Sequence, residues 1–71
     1  MPTEVRAEMV ANVWNVGVSV GDDVTAGDTL VILESMKMEI PVLSEASGTV
    51  LDLAVAQGDV VQEGDLIAVI G

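Results

Sequence analysis

Apolar residues fall along this chain in five short runs, Val13–Val20, Thr29–Glu34, Met38–Leu43, Val50–Val55 and Leu66–Ile70. Each is rich in Val, Ile or Leu, and Gly-Asp pairs stand at 21–22, 27–28, 58–59 and 64–65. Branched aliphatic residues suit a pleated, half-buried surface, and Gly-Asp is strong turn chemistry, so the runs predict β-strands joined by tight turns. No stretch repeats apolar residues at the period of a helix. The expected class is all-β: a small sandwich or flattened barrel.

Displacing the sequence by 37 positions lays one half on the other. Gly21, Asp22, Val24, Gly27 and Asp28 meet Gly58, Asp59, Val61, Gly64 and Asp65, while Leu30–Leu33 meets Ile67–Ile70 and Val13 meets Val50. Such a repeat implies two copies of one unit, each too small to bury its apolar face alone, stacked about a pseudo-twofold axis. The segment linking the copies is then expected opposite the chain termini.

That link is Glu34-Ser35-Met36-Lys37-Met38-Glu39, which contains no Gly, Asn, Asp or Pro. Turn chemistry alone would run one strand from Thr29 to Leu43, about fifteen residues where five or six are usual. The repeat demands a reversal, so a tight hairpin is expected with Lys37 near its tip. A helical turn pairing Glu34 with Lys37 at i,i+3 is a poor alternative. Pro41 pushes its predecessor towards extended backbone, and so short a helix does not support itself.

Composition narrows the function. The chain has 71 residues, enough for one domain spanning 1–71 and close to the lower limit for folding on a single core. It has neither Cys nor His, which removes disulfides, thiolate nucleophiles, Cys/His zinc sites and imidazole catalysis. Clustered Asp in the Gly-Asp pairs does not have the ligand spacing of a calcium loop, and no metal site is expected. No apolar run approaches the ~20 residues of a membrane span, and the amino terminus does not read as a signal peptide, so a cytoplasmic location is expected. The net charge is −10, with Arg6 and Lys37 the only cations. Nucleic acid and anionic membrane surfaces are unsuitable partners for such a chain, whereas proteins with basic surfaces are suitable ones. The acidity also serves solubility. Trp14, the sole aromatic, reads as a partly exposed strand residue or a contact for a partner.

Lys37 is the only lysine, framed by two thioethers and two carboxylates, the pattern of a substrate for a modifying enzyme. Glu34-Ser35-Met36-Lys37-Met38-Glu39 resembles the attachment motif of the biotinyl domains of biotin-dependent carboxylases and decarboxylases. The resemblance runs from about Arg6 to Ile70 and includes the repeated Val-Gly-Asp turns. It implies a barrel-sandwich hybrid, a flattened barrel of two small antiparallel sheets with an internal twofold repeat. It also implies covalent biotin on Lys37, attached by biotin protein ligase, with Met36, Met38, Glu34 and Glu39 forming the surface around it. Biotin carboxylase and carboxyltransferase subunits are the further partners implied, and the carrier itself supplies no catalytic residue. Family members commonly have proline where this chain has Glu8 and Glu45, and glycine where it has Ala11. Lipoyl domains share the fold but usually place an acid before the lysine and a small residue after it, so lipoate is the alternative cofactor. A third reading is an unmodified interaction module that works through its acidic surface or Trp14.

Overall fold

A computed structural model of the chain describes residues 2–71, and every regular element in it is a strand. In order these are β1 (Thr3–Arg6), β2 (Ala11–Val16), β3 (Asp23–Val24), β4 (Thr29–Ser35), β5 (Met38–Leu43), β6 (Gly48–Leu53), β7 (Val60–Val61) and β8 (Leu66–Ile70). They form two four-stranded sheets of order β1-β8-β6-β3 and β5-β4-β2-β7, with antiparallel pairing throughout. Moving every strand on by four turns one order into the other, so each sheet takes two strands from each half of the repeat and the pseudo-twofold exchanges the two sheets.

The repeat extends to irregularities. One residue is skipped in register at Trp14 and, in the other sheet, at Leu51; a second pair of skips falls at Leu30 and Ile67. These β-bulges bend the strands so that two short sheets can curl over a common core. Leu30 and Ile67 lie fully inside it, and the repeat-related pairs Leu33 with Ile70 and Val13 with Val50 are among the most buried residues. The chain ends meet at the Thr3–Ile70 pair, which the repeat makes the equivalent of Ile40–Leu33 at the base of the β4–β5 hairpin.

The Gly-Asp pairs are turns, as expected, and the structure shows why both residues are needed. At 19–22 the Asp22 N–H donates to the Ser19 carbonyl at 3.0 Å, while the Asp22 carboxylate accepts from the Ser19 N–H at 2.9 Å. Gly21 between them sits at φ 96°, where a side chain would be strained. The same double bond recurs for Asp28, Asp59 and Asp65 with Thr25, Ala56 and Gln62. Each of these four carboxylates therefore caps a turn.

Strand limits differ from expectation in two ways. The Val13–Val20 and Val50–Val55 runs leave the ladder early, at Val16 and Leu53. Val18 and Val55, beyond those ends, belong to loops that pack on the core from outside the sheet, so hydrophobicity outlasts strand geometry. Three strands give no clear apolar signal. β1 carries one buried residue, Val5, and β3 and β7 are two residues long, so pairing with a neighbour makes them strands.

Candidate functional site

β4 and β5 are held in register by the core. Val31 and Leu33 point inward and are at most 2% exposed, opposite Val42 and Ile40. Slipping the pairing by one residue would turn this set out to solvent, at about 1.5–3 kcal/mol for each large side chain. With the register fixed, the ladder closes at Ser35–Met38 and leaves two residues to reverse the chain. Met36 and Lys37 take φ 52° and 63°, the left-handed region at both central positions of a type I′ turn. That conformation costs an L-residue about 1–2 kcal/mol, less than a register slip, so tertiary packing overrides turn propensity.

The result is a projecting amine. Met36 is 91% and Met38 63% exposed, and Lys37 and Glu39 are exposed too, while Glu34 and Ser35 are half-buried. Glu34 and Glu39 face each other across the ladder, two like charges at the neck of the hairpin. Among the described residues the one ion pair is Arg6–Glu4 at 3.1 Å, and Lys37 bonds to neither flanking carboxylate. All five residues singled out from the sequence therefore gather at one hairpin. Trp14, about half exposed, lies on β2 beside β4 in the same sheet.

Sequence reasoning missed a groove about 610 Å³ in volume between β1 and β5, one edge strand from each sheet. It went unseen because β1 did. The signal was nonetheless available, since the 37-residue shift carries Met38–Leu43 onto residues 1–6.

An exposed lysine on a two-residue turn suits amide formation by an external enzyme. The family described as "Biotin-requiring enzyme" matches residues 1–70. A Mycobacterium leprae chain, "Biotinylated protein TB7.3 homolog", is 60% identical over 70 residues, covering 99% of each. A "Biotin/lipoyl attachment protein" of Bacillus subtilis is 44% identical over 63 residues, 89% of this chain and 86% of that one. Among solved structures, the Kluyveromyces lactis urea carboxylase superposes on all of this chain with a TM-score of 0.92 at 38% identity. The chain spans only 6% of that enzyme. The chain belongs to the biotin- and lipoyl-attachment family, as a non-catalytic carrier domain.

Proposed function

We propose that Lys37 is the residue that receives biotin, through an amide made by biotin protein ligase, and that the loaded domain serves separate carboxylase centres. One observation carries the reading: the only lysine stands on a strained two-residue turn, exposed and clear of every ion pair among the described residues. A buried or salt-bridged amine would have to be dismantled before it could enter a ligase. This one is presented.

The chain's contribution is positioning. The ligase removes the ammonium proton, and Nζ displaces the adenylate from the activated carboxyl group. Acylation takes the net charge from −10 to −11 and leaves Arg6 as the only cationic side chain. When bound, biotin supplies a ureido nitrogen able to hold a carboxylate between donor and acceptor sites. Met36 and Met38 present polarisable, adaptable surface that more than one partner can pack against. A biotin carboxylase and a carboxyltransferase are the partners this function needs, and a cytoplasmic setting is part of the proposal.

The experiment is intact mass after incubation with biotin protein ligase, biotin and ATP. Wild type should gain one biotinyl group, trypsin should then no longer cut after residue 37, and Lys37→Arg should gain nothing. A lipoyl increment under the lipoyl ligase, with none from the biotin enzyme, would instead establish the lipoyl reading.

A further inference from the structure

The groove between β1 and β5 has an apolar floor. Val5 and Leu33 are buried beneath it, while Ile40 and Val42 of β5 are half-buried and uncovered on the groove side. Side chains on a strand alternate, so Met38 lies on the same face of β5 as Ile40 and Val42. An apolar track thus runs from the residue next to Lys37 into the groove. Its polar lining is Glu4, Glu8, Glu45 and Arg6, whose guanidinium donates to the Gly64 carbonyl at 2.8 Å and to the Glu4 carboxylate at 3.1 Å.

The occupant can be chosen on physical grounds. A second copy is disfavoured because each chain carries −10 and both polar linings are acidic. A strand added to β5 is disfavoured because Pro41, in its middle, offers no N–H to a new ladder. A small ring system remains, with an apolar body for the floor and a polar end for the polar lining. A volume near 610 Å³ lies within the ~300–1,000 Å³ range of small-molecule sites. From Lys37 to the Leu33–Ile40 pair is three residues along β5, about 10 Å at the rise of a strand. A lysine side chain extended by a five-carbon acyl arm reaches on the order of 14 Å at ordinary bond lengths.

We infer that this groove is a resting site for the bicyclic ring carried on Lys37. The inference rests on the reading of Lys37 as the attachment point. Its floor of Val5, Leu33, Ile40 and Val42 takes the thiolane side of the ring, and its polar lining meets the ureido group. Tethering makes docking intramolecular, at an effective concentration of roughly millimolar, so even weak intrinsic affinity populates the docked arm. Docking shields the ureido group between encounters, and a partner enzyme draws the arm out by binding it more tightly.

The test uses carrier labelled in two ways: by biotin protein ligase, and chemically with the succinimidyl ester of biotin. Lys37→Arg protein labelled with the ester identifies any adduct on the amino-terminal amine. In 13C-methyl-labelled protein, proton–proton NOEs are expected from the ring to methyls of Val5, Ile40 and Val42, with amide shifts extending along β1. Streptavidin capture gives a second readout. If the arm is docked three quarters of the time, filling the groove with Val42→Phe speeds capture about fourfold. The inference is overturned if chemically labelled wild type shows no such NOEs and its shifts stay within residues 34–39. Should the ligase refuse the chain while the chemically labelled form shows the NOEs, the groove stands and the ligase assignment falls.

Discussion

Replacing Met36-Lys37 by Asn-Gly should stabilise this protein while abolishing its acceptor. Both residues sit in the left-handed region, at φ 52° and 63°, where each L-side chain costs about 1–2 kcal/mol. Asn tolerates that region and Gly enters it freely, although Gly returns ~0.5–1 kcal/mol through its looser unfolded chain. Little else changes, because Met36 is 91% exposed and Lys37 belongs to no ion pair among the described residues. The net gain is about 1–2 kcal/mol, which for a domain of this size raises Tm by roughly 4–16 °C. The Met36→Asn variant alone keeps the lysine and should gain about half of this. Thermal melts of wild type, both single variants and the double variant, followed by far-ultraviolet circular dichroism and Trp14 fluorescence, measure it. A double variant that melts at or below wild type would refute the claim that the hairpin is held in strain by the sheet beneath it.

Leu30→Ala should remove about 2–5 kcal/mol, since Leu30 is fully buried at a bulge, and a core this small has little more to lose; the variant should be largely unfolded by circular dichroism at room temperature. Asp59→Ala should cost about 0.5–1.5 kcal/mol by leaving the Ala56 N–H without its 2.9 Å acceptor, read as a lower denaturation midpoint with lysine modification unchanged. Met36→Asp with Met38→Ala should leave the protein folded, because both thioethers are exposed and Asp tolerates the left-handed turn, yet slow biotin transfer at least severalfold; equal rates would remove them from ligase recognition. Modification at subsaturating carrier should slow as salt rises, since the screening length falls from about 8 Å at physiological strength to about 3 Å at 1 M, and a flat rate would assign the acidity to solubility alone.

Most of the architecture could be read from the chain because its signals are local and occur twice. The Gly-Asp pairs specify four turns through one left-handed glycine and one accepting carboxylate each, a bonding pattern that lies within four consecutive residues. β5 and β8 were legible to the residue, and the displacement of 37 identified the twofold before any pairing was known. Lys37 stood out by being alone. Strand ends at Val16 and Leu53, and the existence of β1, β3 and β7, depended on partners far away in sequence. A two-residue strand or one with a single buried side chain has no periodicity of its own. The hairpin shows the division most clearly. Met36 and Lys37 have no preference for the turn they form, and only the inward registry of Val31 and Leu33 against Val42 and Ile40 forces the reversal between them. Composition thus determined which residue could be modified, whereas tertiary packing decided that it would project from a strained turn beside a groove, because burial of the core outweighs local backbone cost.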